Sequence, residues 1–162
     1  MIILRQKNYS FNSDLPEKIN IDNYISLKKD HLGILARLLR KLSKRIKTGQ
    51  DNYVYYYILL DNKEVGCIEL SKKDENTLYG VWLMIDEKYR GNKIATKVLK
   101  YIINLARKFK FKYFTLEVPG NSPDARHIYE KLGFKEDKTN PKNHDEDYDI
   151  VWGGLTNMIL KL

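Results

Sequence analysis

From Tyr53 onward the chain is divided into short runs of strand-forming residues. "YVYYYILL" (53–60), "EVGCIEL" (64–70) and "TLYGVWLMID" (77–86) are rich in β-branched and aromatic side chains, and "DNK" (61–63) and "SKKDEN" (71–76) separate them. Both separators have hairpin-turn chemistry, so the three runs predict an antiparallel meander. The period then changes. Ile94, Val98, Tyr101, Ile102 and Leu105 form one apolar stripe at helical spacing, predicting a helix from about Ile94 to Phe109. "KYFTLEV" (112–118) returns to strand, and the intervening helix implies that it runs parallel to 77–86. "SPDARHIYEKLGF" opens with Ser-Pro, a helix start, and stops at Gly133, a helix C-cap. "MILKL" alternates as a last strand should.

Ahead of this region the pattern is less regular. Residues 1–22 read either as an N-terminal extension or as a first strand, with "MIIL" the strand candidate and "NSDLPEKIN" a loop. "YISLK" (24–28) predicts a strand, and Leu32, Leu35, Leu39, Leu42 and Ile46 mark an amphipathic helix over 30–47. Neither repeats nor a linker interrupt the chain, so residues 1–162 are expected to form one domain.

Composition narrows the class. A 43% hydrophobic and 31% charged chain with twelve Tyr is globular in character. No apolar run approaches the ~20 residues of a membrane span, and "MIILRQKNYSF" lacks the features of a secretory signal. The single Cys, Cys67, allows neither an internal disulfide nor a Cys metal cluster, so a cytoplasmic protein without a metal is expected. Lys and Arg number 29 against 21 Asp and Glu, a net charge of +8 that draws anions. The basic side chains of "RLLRKLSKRIK" sit mostly off the apolar stripe and read as a solvated face; with no nucleic-acid motif beside them, a nucleic-acid partner is not expected.

One anion site is suggested by "YRGNKIATKV" (89–98), a Gly-bearing turn with flanking cations that runs directly into a helix. Such a turn serves simply to end a strand, or it points backbone N–H groups at a phosphate. Its surroundings favour the second reading. "LMIDEKYRGNKIA", "YFTLEV" and "SPDARHIYEKLGF" follow one another in the order and spacing of a known core, and from Leu78 to Phe134 the chain resembles the GCN5-related N-acetyltransferase (GNAT) superfamily. The loop departs from the family's R-G-x-G-x-G/A at Lys93, which stands at the second Gly; a loop without positive φ at that position is expected. Ser122 stands where the family usually has Asn, and is expected to cap the second helix as Asn would.

The resemblance implies an α/β fold, with a mostly antiparallel twisted sheet, a splayed parallel strand pair and flanking helices. It implies an enzyme that moves an acetyl group from acetyl-CoA to a primary amine of a small molecule or peptide by direct attack on the thioester. A non-catalytic module of the same fold, binding an acyl-CoA or a macromolecule, is the alternative. Arg90, Gly91, Asn92, Lys93, Ile94 and Ala95 would hold the pyrophosphate, Leu83, Met84 and Ile85 the pantetheine arm, and Ser122 and Ala125 would complete the cofactor site. Tyr129 takes the family's position for the acid at the leaving thiolate. Glu117, twelve residues earlier, takes that of the base in the ribosomal-protein N-terminal acetyltransferases, with a water chain as its substitute. His127 falls on another helix face and is expected to be exposed. The cluster "HDEDYD" (144–149) reads as a solvated loop; where it borders the acceptor, its carboxylates point to a cationic amine. The protein is expected to act as a monomer or homodimer.

Overall fold

The computed structural model describes residues 15–29, 53–139 and 153–162. The "MIIL" strand, the helix over 30–47, His144 and the acidic cluster 144–149 lie outside the described residues. The elements in chain order are β1 (Lys18–Asn20), β2 (Ile25–Lys29), β3 (Tyr53–Leu60), β4 (Lys63–Asp74), β5 (Thr77–Ile85), α1 (Ile94–Lys108), β6 (Tyr113–Pro119), α2 (Pro123–Lys131), β7 (Lys135–Glu136) and β8 (Leu155–Lys161). Among the described residues they build one sheet in the order β1-β2-β3-β4-β5-β6-β8-β7. Only β5 and β6 are parallel there, as the helix between them requires.

The hairpin between β3 and β4 turns through Asp61 and Asn62, both at positive φ, the conformation that matches the twist of the flanking strands. Two sequence expectations need correction. Residues 18–20, read as loop, pair with β2 as β1, because Ile19 finds a buried place opposite Leu27. The turn expected over 71–76 shrinks to its last residues, since Ser71 and Lys72 still pair with Tyr79 and Leu78. Asp74 closes it by accepting the Asn76 N–H at 2.8 Å. The two-residue strand β7 was not apparent in the sequence, whereas the last strand read from "MILKL" is β8, which enters the sheet between β6 and β7.

One face of the sheet carries the core. Val54, Tyr56 and Ile58 of β3, Ile68 and Leu70 of β4, Leu78 of β5 and Phe114, Leu116 and Val118 of β6 are buried on it. α1 covers this face with Ile94, Val98, Leu99, Ile102, Ile103 and Ala106. α2 covers its far end, where Phe134 meets the Phe114 ring at 5.3 Å. Tyr56 is fully buried, and its hydroxyl donates to the Pro16 carbonyl at 2.8 Å, so burial leaves that polar atom satisfied. The opposite face carries Tyr55, Tyr57, Cys67, Glu69, Tyr79, Trp82, Met84, Thr115 and Glu117, by strand alternation. No helix among the described residues is long and apolar enough to cross a membrane.

Asp22 ties the β1–β2 turn to α1. One carboxylate oxygen accepts the N–H groups of Tyr24 and Ile25 at 2.9 and 2.6 Å, and the other accepts from Lys97 Nζ at 2.7 Å. The Lys97 ammonium first, then these N–H groups, hold the carboxyl down at about 2. Because the folded value lies below the unfolded one, the resulting stabilisation is complete above about pH 4 and disappears as pH falls through about 2. Asp22→Asn should therefore melt at a lower temperature than the parent at neutral pH. Thermal melts from pH 7 to pH 2 should show the two curves converging, and a constant offset would disprove this assignment.

Candidate active site

β5 and β6 stay together for only four residues. Thr77, Leu78, Tyr79 and Gly80 pair with Tyr113, Phe114, Thr115 and Leu116, and there the pairing stops. Beyond it β5 follows β4 to Ile85, while β6 follows β8 to Pro119. The facing edges 81–85 and 117–119 thus diverge around an opening. A bulge begins at the same place, since Leu70 pairs with Gly80 but Glu69 with Trp82, leaving Val81 as the extra residue that bends β5. Gly80 closes the vertex. A Cβ there would lie 3.2 Å from the Phe114 ring and 3.6 Å from Leu116 Cβ.

Backbone direction decides which groups face this opening. The Asp86 N–H donates to the Val65 carbonyl at 2.9 Å, so by alternation Met84 and Trp82 turn their peptide groups to β4. Leu83 and Ile85 turn theirs into the opening. The Ile85 carbonyl is engaged there by Arg90 Nε at 3.0 Å, which fastens the following loop to the strand end.

That loop begins with a single 3₁₀ turn, Glu87–Tyr89. Gly91 has φ 79, and Lys93 has φ 60. The expectation of a loop without positive φ at Lys93 is therefore wrong: the chain needs a left-handed residue to enter α1 here, and Lys adopts it at a cost of ~1–2 kcal/mol. Asn92 helps to hold the turn, its Nδ2 donating to the carbonyls of Tyr89 and Arg90 at 3.1 and 3.3 Å. The Lys93 carbonyl accepts the Lys97 N–H, but no side chain caps α1. The first-turn N–H groups of Ile94, Ala95 and Thr96 have no intrahelical acceptor. Buried Ile94 roots the helix, while Arg90, Gly91, Asn92 and Lys93 are exposed. Open donors, the positive helix end and two cations suit a diphosphate.

Across the opening, the turn from β6 to α2 is clamped to the start of β8. The Gly120 N–H donates to the Gly154 carbonyl at 2.8 Å, and a side chain at Gly120 would collide with the Gly153 carbonyl. Sequence reasoning passed over this contact, although the adjacent glycines Gly153 and Gly154 were its signal. Ser122 occupies the N-cap of α2 but makes no capping bond, contrary to expectation. Its hydroxyl turns to the neighbouring Asn121 Oδ1 at 3.4 Å, which competes for it. Ala125 is half-buried against the core and His127 is exposed.

Tyr129 lies on the core side of the sheet, its ring 5.9 Å from that of Phe134. Burial pushes the phenol above its ordinary value, which already leaves the hydroxyl protonated at neutral pH. Glu117 lies on the other side of the sheet, exposed, opposite Asn157 of β8. The two are thus separated by the sheet itself. Among the described residues no His, Cys, Asp and Glu are grouped so as to hold a metal ion.

The sequence profile of the acetyltransferase (GNAT) family matches residues 22–134, which contain the diverging strands, the loop and α2. The chain belongs to the GNAT acetyltransferase family. A probable N-acetyltransferase camello of Xenopus tropicalis is 26% identical over 120 residues, covering 71% of this chain and 55% of that protein. The chain therefore spans about half the length of that relative. Among solved structures, a GNAT family acetyltransferase from Elizabethkingia anophelis with acetyl-CoA bound is 19% identical, with a TM-score of 0.62 over 87% of this chain and 100% of that one. A Salmonella typhimurium acetyl transferase that modifies the N-terminal serine of ribosomal protein L7/L12 has a TM-score of 0.62 at 15% identity, over 90% and 99% of the two chains. At such identities these structures show the GNAT fold.

Within this GNAT loop the strain at Lys93 is directly testable. Lys93→Gly removes the Cβ penalty and should leave the denaturation midpoint unchanged or higher. Lys93→Val adds a branched Cβ at φ 60 and should cost at least ~1 kcal/mol in urea unfolding. Equal stability of the two variants would contradict the left-handed conformation.

Proposed function

We propose that this GNAT protein transfers the acetyl group of acetyl-CoA to a primary amine. The observation that carries the reading is the divergence of β5 from β6 directly beside an uncapped, cation-flanked helix start. The acetyl-CoA in the Elizabethkingia anophelis structure and the N-terminal serine named as the site modified by the Salmonella enzyme support it. In this reading the N–H groups from Gly91 to Thr96, with Arg90 and Lys93, hold the diphosphate. Leu83 and the Ile85 N–H pair with the amides of the pantetheine arm, which completes the open edge of β5 as an added strand would. Met84 flanks the arm without offering its peptide group. Ser122 and Ala125 line the other wall at the start of α2.

Acetyl-CoA supplies an activated acyl carbon on a thiolate leaving group. Glu117, on the face opposite Tyr129, removes the proton of the incoming ammonium, directly or through water, so that the nitrogen lone pair is free to attack. For an amine of pKa ~10.4 that deprotonation costs about 4.6 kcal/mol at pH 7, which is why a base is needed. Tyr129 presents its hydroxyl to the sulfur as the C–S bond breaks. Phenol is ordinarily the weaker acid, ~10 against ~8.5 for a thiol, and burial weakens it further. Tyr129 therefore acts chiefly by hydrogen-bonding the developing thiolate.

Acetyl-CoA should raise the melting temperature, and Arg90→Glu with Lys93→Glu should abolish that shift while leaving the fold intact. No shift at millimolar acetyl-CoA would refute the phosphate-loop assignment. Tyr129→Phe should retain the shift and lose ~10²–10⁴ in kcat. Glu117→Gln should lose most activity near neutrality and regain part of it as pH approaches the amine's own pKa; an unaltered pH profile would remove Glu117 from the mechanism.

A further inference from the structure

From Lys88 to Leu116 the chain has no Asp or Glu. The cations that open this stretch flank the loop of the candidate active site. Those that close it do not reach that site, because the 15 residues of α1 hold the two ends ~22 Å apart. At the far end Arg107, Lys108, Lys110 and Lys112 are exposed, as is Lys161 beside them on β8. Two rings, Phe109 and Tyr113, alternate with these cations, each 37% exposed. The negative end of the helix dipole accounts for Arg107 and Lys108. It does not account for Lys110, Lys112 and Lys161, which lie beyond the helix.

The turn that displays these groups is held from both sides. The Lys110 N–H donates to the Arg107 carbonyl at 2.9 Å and the Phe111 N–H to the Ala106 carbonyl at 3.1 Å, the paired bonds of a Schellman ending. The Asn76 carbonyl accepts the Lys112 and Tyr113 N–H groups at 2.8 and 3.0 Å, and the Leu162 N–H donates to the Lys112 carbonyl at 2.9 Å. The left-handed position of such an ending is usually Gly, but here it is Lys110, at φ 63. A cation thus stands where the backbone would settle more readily without a side chain. The carboxylates of the neighbouring β4–β5 turn are already engaged, Asp74 by the Asn76 N–H at 2.8 Å and Glu75 by Lys72 at 2.6 Å.

We propose that this end of the molecule binds single-stranded RNA, with Lys110 and Lys112 on its phosphates and the Phe109 and Tyr113 rings against its bases. The proposal is independent of the acetyl-transfer reading. The expectation against a nucleic-acid partner rested on residues 37–47, a different stretch of the chain. Four chain steps separate the two rings, so they lie within ~14 Å of each other with both lysines between them. Cations that follow a backbone, with ring faces between them for stacking, hold a single strand without reading its sequence. A membrane suits the surface less, since two part-exposed rings offer no continuous apolar face to enter lipid. A duplex also suits it less, because its bases are already stacked on one another. The turn is fixed before the strand arrives, so binding orders little of the protein.

The test is fluorescence anisotropy of a short labelled single-stranded RNA of mixed sequence over a salt series, with the same sequence as a duplex and phosphatidylserine vesicles in parallel. The single strand should bind at low salt, more tightly than the duplex or the vesicles, and weaken as salt rises. Lys110→Asn, which tolerates positive φ, together with Lys112→Gln should weaken binding on the order of tenfold. The same variant should lower the slope of log Kd against log salt by ~1.4, since each phosphate contact on a single strand contributes ~0.7. Lys18→Gln with Lys28→Gln removes equal charge from exposed positions on β1 and β2, at one edge of the sheet, and should leave the affinity within about twofold. Phe109→Leu with Tyr113→Leu keeps apolar bulk without the ring faces and should cost on the order of tenfold with the salt slope unchanged. Saturating acetyl-CoA should alter none of these affinities. Melting curves separate a lost contact from a lost fold; where the leucine variant melts early, the two lysine pairs decide by themselves. No binding at low salt, equal losses from the two lysine pairs, full affinity in a folded leucine variant, or tighter binding to duplex or vesicles would overturn the proposal.

Discussion

The site depends on the short parallel pairing of β5 with β6. A strand inside a sheet normally satisfies its peptide groups on both sides, and burying an unpaired one costs about 1–3 kcal/mol. Here β5 keeps β4 as its partner on one side and gives up β6 on the other after Gly80. Two local features make this separation a fixed geometry. Gly80 lets Phe114 and Leu116 approach the backbone at the vertex, and the extra residue Val81 turns the rest of β5 away from it. β6 cannot follow, because β8 binds it along its whole length.

Electrostatics and strain then converge on the mouth of that opening. The loop after β5 holds a Lys in a conformation that Gly adopts freely, and the surrounding contacts keep it there: Arg90 on the Ile85 carbonyl, Asn92 on the Tyr89 and Arg90 carbonyls, and buried Ile94 at the first turn of α1. What this arrangement gains is a row of outward N–H groups with an ammonium beside them. The Asp22–Lys97 ion pair anchors the same end of α1 to the β1–β2 turn. The helix start with its open N–H donors is thus fastened to a second element of the fold.

The sheet also separates two chemical environments. Its core face is apolar, packed under α1 and α2, and it supplies Tyr129 with the desolvation that pushes the phenol above its ordinary value. The other face is aromatic and acidic, with Glu117, Trp82 and Met84 along the opening. A group held between the diverging strands is reachable from both. In the proposed reaction this lets the leaving sulfur and the incoming nitrogen meet different surroundings across a single layer of backbone.

Much of this was legible in the residues, because strands and helices differ in period and turns in chemistry. The meander, α1, β6, α2 and its Gly133 stop follow from Tyr53–Ile85, the Ile94–Leu105 stripe and the Ser-Pro and Gly signals, all local effects. The motifs around Arg90 and Tyr129 pointed to the GNAT family, which the matching profile over 22–134 bears out. Other features depended on distant partners. β1 forms only because β2 offers Ile19 a buried place, Ser122 forgoes its cap because Asn121 is nearer, and β8 slips beside β6 where Gly120 and Gly153 can touch. Lys93 adopts positive φ because the directions of β5 and α1 are already set by their packing, and one residue must absorb the turn between them. Local sequence thus determined the elements and the chemistry they carry. Tertiary structure decided which edge stayed open and which side chains face one another across it, since hydrogen-bond register and steric contact are made between segments far apart in the chain.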